Sequence, residues 1–566
     1  MPVLPAAGRR GDLSVADRLN ALSAEQRALL DALRRAGGKT APPPPPVLPV
    51  SGPRGLGPAA PVQTGRPADS PSPAPPASRD WPLSCDQERL WRLHQQDPGL
   101  VSWNVDAASR VRGVLDLPAF AAAVHELVWR HAAWRATFPL AAGKPVQRVA
   151  DELAPAMALL DLSALPAARR EAAGRRALYE HTRQPFDLAR GPLMRMALVR
   201  LGQREHLYLL TLHHLVTDWI TFQIFFGELL DAYERRQAPR APRAALAASA
   251  ASAASAALAA GSEPEAAPRP PGLPLQFPDY AVWEREWLQG EVLAAETAFW
   301  QRQLAGFPLV LDLPADRPRP AVQSQRGGML RLDLGADRAA RLRALARAEG
   351  VTTFMMLLAA LYALLWRVTG ETRLVVGSNS ANRPRPELAG VAGFFLTQVP
   401  FACDLGGDPT FAEVLARTRR CALAAYGHQS LPFGKLIEAV LGPGAAADRG
   451  RHPVVQVMLL VLPPGGAAGA AGLVFEPLML YDGNSRWDLM LGLYDDPAGG
   501  IAGSVEYNAD IFAAPTVEGL MALFGAVLDT VLADPAVRLS ALPRGMAPAA
   551  ATVSIAGAPG SPEQPR

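Results

Sequence analysis

The sequence predicts a mixed α/β protein with two cores rather than one. Helical and strand patterns alternate along the chain, and the same grammar recurs in its two halves. With 566 residues, 49% of them hydrophobic, the chain exceeds what one core of ordinary size accommodates. Stretches rich in Pro, Ala and Ser punctuate it where boundaries between units are expected.

Taken in order, residues 1–40 hold a short helical unit at 13–36. There Leu19, Leu22, Leu29, Leu30 and Leu33 approximate a stripe, and Ser23 with Gln26 makes a capping-box start. This unit reads equally as a docking segment for a partner and as a helix packing on its own domain. Residues 41–79 are too proline-rich to build a core and read as a stiff, disordered linker. A first lobe is expected over 80–270, interrupted by a low-complexity loop at 238–271, and a second over 272–545, before a disordered tail at 546–566. In the first lobe Phe120, Val124, Leu127, Val128 and Trp134 stand at helical spacing within 117–134. HLYLLTL at 206–212 reads as a buried strand, and Phe222, Phe225, Phe226, Leu229 and Tyr233 predict a helix over 218–235. The second lobe repeats this with helices at 336–348 and 352–367 and strands at 373–377 and 454–462.

Composition excludes several classes. The 56 basic and 53 acidic side chains leave a charge of +3, so no polyelectrolyte signature points to nucleic acid or to an acidic membrane surface. All but three basic residues are arginine, which with the Ala and Pro excess reads as the codon bias of a GC-rich genome. Cys85, Cys403 and Cys421 are too few and too scattered for a disulfide framework or a zinc site. The start lacks an apolar stretch that could serve as a signal-peptide core. The run 351–366 falls short of the roughly 20 apolar residues of a membrane span and reads as a buried helix between Gly350 and Gly370. A soluble cytoplasmic protein is expected.

The sharpest chemical feature is His213-His214-Leu-Val-Thr-Asp218, directly after the strand at 206–212. Adjacent side chains at a strand's end point to different sides, so one imidazole packs while the other faces a cavity. An imidazole of ordinary pKa near 6.5 is mostly neutral at cytoplasmic pH and accepts a proton there. Asp218 reads either as holding the loop's shape or as the N-cap of the next helix. The remaining histidines show no metal-ligand spacing. A GxSxG elbow, a GxGxxG turn and a GxxxxGK[ST] loop are absent, which removes support for covalent serine catalysis and for nucleotide-dependent activation.

The order of short motifs is more specific. His213 to Asp218 resembles the HHxxxD core of the condensation domains of nonribosomal peptide synthetases. LSCDQERLWRL (83–93) resembles the family's opening S-x-x-Q-x-R-L-W, and RHAAWRATF (130–138) its R-H-x-x-L-R-T-x-F. FPDYAVWEREWL (277–288), VVGSNSANRPRPEL (375–388), GHQSLPFGKLIE (427–438) and DRGRHPVVQVML (448–459) match further family motifs, all in the expected order. The resemblance implies two chloramphenicol acetyltransferase-like αβα lobes in a V-shaped pseudo-dimer with a central tunnel. It implies no bound cofactor, but substrates carried as thioesters on the phosphopantetheine arms of partner proteins. Donor acyl or peptidyl carrier protein and acceptor carrier protein would enter from opposite sides, without nucleic acid, membrane or metal. Residue by residue, it makes His214 the catalytic histidine, His213 its packed neighbour, and Asp218 a structural carboxylate paired with Arg135.

Two departures stand out. Trp219 replaces the family's glycine after the aspartate; it either shapes the donor pocket, suggesting a polyketide-like acyl donor, or faces the lobe's core. GFFLTQVP (393–400) puts Thr397 and Gln398 where the family tends to have asparagine and threonine. Trp219, Ser378 and Thr397 are thus expected to line the tunnel. No adenylation or carrier motif is visible, so a free-standing enzyme forming amides or esters between carrier-bound intermediates is expected. Its rivals are a chain-releasing acyltransferase using a free small amine or alcohol, a non-catalytic recruitment module, and an epimerase.

Overall fold

The computed structural model describes residues 45–47, 80–237, 272–442, 448–463 and 467–545. The expected helical unit at 13–36, the loop at 238–271, the tail at 546–566 and most of the proline-rich linker lie outside the described residues. Within that linker, residues 45–47 are docked. Val47 is 4% exposed among Leu275, Trp283, Leu388 and Val391, and the Trp283 indole N–H donates to the Pro45 carbonyl at 2.9 Å.

Two six-stranded sheets carry the fold. The first runs, edge to edge, through Ala468–Ala470, Leu473–Pro477, Asn104–Arg112, Glu205–His213, Met194–Gly202 and Ala156–Asp161, and only its last pair is parallel. The second runs through Gly327–Asp333, Ile501–Asn508, Leu489–Asp495, Val457–Leu462, Arg373–Ser380 and Thr397–Asp404. Its central strand Val457–Leu462 is parallel to both neighbours.

The sheet order corrects the expected lobe boundary. Residues 468–477 fall in the second half of the chain, yet they complete the first lobe's sheet, with Phe475 opposite Val111. The cause is packing: Phe475 lies among Phe120, Tyr208 and Phe226, at ring-centroid distances of 6.5, 6.1 and 6.3 Å.

Helices cover both faces of the first lobe's sheet, with Leu117–Arg130 and Trp219–Gln237 on one and Ala167–Thr182, through Leu178, on the other. In the first lobe Leu117–Arg130 starts at Asp116, whose carboxylate accepts the Ala119 N–H at 3.0 Å, and packs on Trp219–Gln237. The helix stops four residues before the expected end; Ala132–Arg135 is a 3-10 turn instead. In the second lobe Thr353–Thr369 begins at Thr352, whose hydroxyl accepts from Met355 N at 3.2 Å. It ends at Gly370, whose φ of 74° is the left-handed conformation that suits glycine. Met355 to Leu365 are buried on every side of this helix, so the apolar run noted in the sequence is the centre of the second core. Among the described residues one helix, Ala514–Ala533, is long and apolar enough to cross a membrane, and half of that window is packed inside the protein.

Candidate active site

The strand Glu205–His213 delivers the histidine pair to the lobe boundary. His213, its last residue, is opposite Asn104 and fully buried. Its Nδ1 accepts the Leu215 N–H at 3.2 Å, which puts the ring proton on Nε2. His94 and Phe186 stand edge-on to the ring at 5.3 and 6.1 Å. Burial, reinforced by the neighbouring His94 and His214, pushes the His213 pKa well below the ordinary imidazole value. It is a packed neighbour.

His214 turns the other way and is half-buried. Its Nδ1 lies 2.8 Å from the Thr217 carbonyl. A carbonyl only accepts, so Nδ1 carries the proton and Nε2 keeps its lone pair. Phe394, from the second half of the chain but packed in the first lobe's core, meets the ring at 4.9 Å and Trp103 at 6.3 Å. The pKa is lowered to about 4, by burial first and then by the Arg486 charge, against the Thr217 carbonyl and Asp218. His214 is therefore a neutral base at pH 7.

Asp218 is buried and holds the two lobes together. Its carboxylate accepts the Thr221 N–H at 2.8 Å, so it does cap the helix Trp219–Gln237. It also takes Arg383 Nη1 at 2.7 Å, Arg383 Nη2 at 3.1 Å and the Phe395 N–H at 3.2 Å from the second lobe. Thr221 Oγ1 adds a reciprocal pair, accepting from Gly393 N at 3.0 Å and donating to Gly393 O at 2.8 Å. Glycine is required there: a Cβ at 393 would stand 2.0 Å from the Phe277 ring.

The expected Asp218–Arg135 pair does not form. Arg135 ends its 3-10 turn with the side chain running back to the Val128 carbonyl, at 3.1 Å, and to the Ala150 and Asp151 carbonyls. The partner of Asp218 is Arg383, the arginine of the 375–388 motif. That motif is legible in the sequence; the role of its arginine is not.

Of the three residues expected along the tunnel, two are otherwise placed. Thr397 is buried, and its hydroxyl accepts from Phe433 N at 3.0 Å and bonds the Asp86 carboxyl. It ties the helix Cys85–Gln96 to the start of Phe433–Leu441 rather than forming a wall. Ser378 lies opposite Val399 in the sheet. By strand alternation it shares the face of Phe401, whose ring packs on Phe354 and Tyr426 of the covering helices. Asn379 and Gln398 look out from the opposite face, each with a buried side-chain oxygen lacking a partner among the described residues. Trp219 opens its helix half-buried and belongs to neither lobe's core cluster.

Trp103, Phe394 and Arg486 escape sequence reasoning. Phe394 lies in the GFFLTQVP segment, which is legible although this contact is not; Trp103, and Arg486 behind it, come from separate stretches of chain without a motif signal.

The sequence matches the Condensation domain family over residues 77–245 and 256–544. It is 36% identical over 476 residues to a linear gramicidin synthase of Brevibacillus parabrevis, covering 83% of this chain and 6% of that protein. With phosphinothricin tripeptide synthetase PhsC of Streptomyces viridochromogenes it shares 33% over 530 residues, 93% of this chain and 44% of the relative. The chain thus spans less than half the length of either relative. Among solved structures, the X-domain from teicoplanin biosynthesis matches with a TM-score of 0.69 and 31% identity, covering 83% of this chain and 99% of that one. The same domain in complex with OxyB matches with a TM-score of 0.68 and 32% identity, over 85% and 98%. Two sheet-and-helix lobes of the chloramphenicol acetyltransferase-like class, an HHxxxD turn at their junction and these likenesses agree: the chain belongs to the condensation-domain family.

Proposed function

We propose that this chain transfers an acyl group from a carrier-bound thioester to an amine, or to a hydroxyl, in the assembly of a peptide or hybrid polyketide/peptide product. The observation that carries this reading is the ring form of His214. Its Nδ1 is committed to the Thr217 carbonyl, which leaves Nε2 as a proton acceptor at the junction of the two lobes. The acceptor nitrogen attacks the thioester carbonyl, and a tetrahedral oxyanion forms. Its collapse breaks the C–S bond; Nε2 takes the proton leaving nitrogen and returns it to the departing thiolate. The first-turn amides of Trp219 and Ile220 have no partner among the described residues and would supply backbone donors for the oxyanion. An α-amine of pKa near 7.7–8.0 is partly neutral already, whereas a hydroxyl needs a stronger pull on its proton.

The test is intact-protein mass spectrometry of a reconstituted transfer. An acylated donor carrier is mixed with a loaded acceptor carrier, or with free amines and alcohols, using wild type and His214→Ala. Mass moves onto the acceptor with wild type. His214→Ala slows transfer by about 10²–10⁴-fold, and more for a hydroxyl than for an amine. Equal losses with both acceptors would defeat the general-base role. Transfer to free acceptors alone would favour a chain-releasing enzyme.

A second reading is a recruitment module, favoured by the likeness to the X-domain solved with OxyB. Carrier binding with no transfer from any donor would support it. The unprotonated Nε2 and the complete Asp218 network argue for catalysis.

A further inference from the structure

We propose that Arg486 is a positioning residue for His214: from the second lobe it clamps the turn at residues 102–103 and thereby sets where the imidazole stands and which ring form it keeps. This rests on reading His214 as the proton acceptor.

Arg486 precedes the strand Leu489–Asp495 of the second sheet. Its Nε donates to the Ser102 carbonyl of the first lobe at 2.8 Å. Its guanidinium carbon lies 4.4 Å from the Trp103 ring centre and 5.6 Å from that of Trp487, so the planar cation sits between two indoles. Trp103 in turn holds His214 twice. Its carbonyl accepts the His214 N–H at 2.8 Å, and its ring meets the imidazole at 6.3 Å. The order guanidinium, indole, imidazole therefore crosses the lobe junction, with Phe394 closing the remaining side of the ring at 4.9 Å.

The charges around His214 give the clamp a second consequence. Asp218 and the Thr217 carbonyl favour the protonated ring; Arg486 opposes them. His213 is adjacent and is itself held neutral. Asp218 is paired with Arg383, which leaves Arg486 as the cation acting on His214. Removing Arg486 leaves burial alone to oppose the carbonyl and the carboxylate, so the imidazole gains basicity and charges at a higher pH.

The experiment is a histidine-selective NMR titration of the full chain, with the His214 signal assigned by its loss in His214→Ala. The wild-type signal is expected to titrate near pH 4. Arg486→Gln moves the midpoint up by about one unit. Arg486→Lys keeps the charge without the flat stacking face and holds the midpoint low. If Arg486→Gln does not fold, Trp103→Leu removes the plate on which the guanidinium rests and shifts the midpoint in the same direction. A midpoint unmoved in the folded variants overturns the proposal, even if transfer activity is intact. A midpoint that moves while every protein fails to transfer leaves the role of Arg486 standing and defeats the acyl-transfer reading instead.

Discussion

Asp218 and Arg383 are 2% and 7% exposed, and their bidentate contact replaces the water both would otherwise hold. A buried ion pair of this kind costs most when only one partner is removed, because the other is left charged and without water. Arg383→Met is expected to destabilise the fold by about 3–5 kcal/mol, and Asp218→Asn by a similar amount. The double variant should lose much less than the sum of the two. Arg135→Met, combined with Asp218→Asn, should be additive, since Arg135 bonds only backbone carbonyls near its own helix. Urea denaturation of the two double-mutant cycles measures both couplings. A larger coupling for Arg135 than for Arg383 would refute the Asp218–Arg383 pairing.

At the scale of elements, the strand Leu473–Pro477 does the least expected work. It belongs by sequence to the second lobe and by pairing to the first, and Phe475 anchors it under three aromatic rings. Phe475→Ala removes a ring buried to 1% exposure, which costs about 3–5 kcal/mol. The damage should appear in the first lobe: limited proteolysis is expected to cut near Asn104–Arg112 and Glu205–His213 before it cuts the second sheet. First cleavage within the second sheet would show that the strand stabilises its own half of the chain. This exchange was invisible in the sequence, because hydrophobic spacing reports that a segment is buried and not which sheet receives it. Elements with strong local signals were legible. The helix Ala336–Ala348 has its expected bounds, and Thr353–Thr369 and Glu205–His213 lie within three residues of theirs. The site divides the same way. His213, His214 and Asp218 are contiguous and could be read as one motif. The Arg383 contact spans 165 residues and the Arg486 contact 384, distances over which no local pattern carries information.

For the whole molecule, a formal charge of +3 conceals an interior that resists protonation at some sites and ionisation at others. Burial lowers His213, His214 and His452, the last two to about 4 and about 3. Burial raises Asp106 to about 8, and Glu284 and Glu506 to about 7. Below pH 6.5 the unfolded chain binds protons at the three histidines that the folded one refuses, which lowers stability as the pH falls. Above pH 4 the folded chain keeps protons on three carboxyls that the unfolded one releases, which lowers stability as the pH rises. Burial also lowers His94, His181 and His206 and raises Asp86, so the two sets oppose each other between about pH 4.5 and 6.5; above 6.5 the histidines drop out, and the raised carboxyls lower stability until the pH passes 8. Asp106 contributes most to that decline. It is buried, takes a hydrogen bond from Thr211 Oγ1 at 2.5 Å, and has Asp482 nearby to discourage its ionisation. Asp106→Asn keeps the acceptor oxygen and removes the titration. Its stabilising effect relative to wild type should grow with pH from 5 to 8, by up to about 1.4 kcal/mol per unit. Paired denaturation curves at pH 5, 6.5 and 8 decide it: an effect independent of pH would mean that Asp106 is ionised in the folded protein and that the decline originates elsewhere.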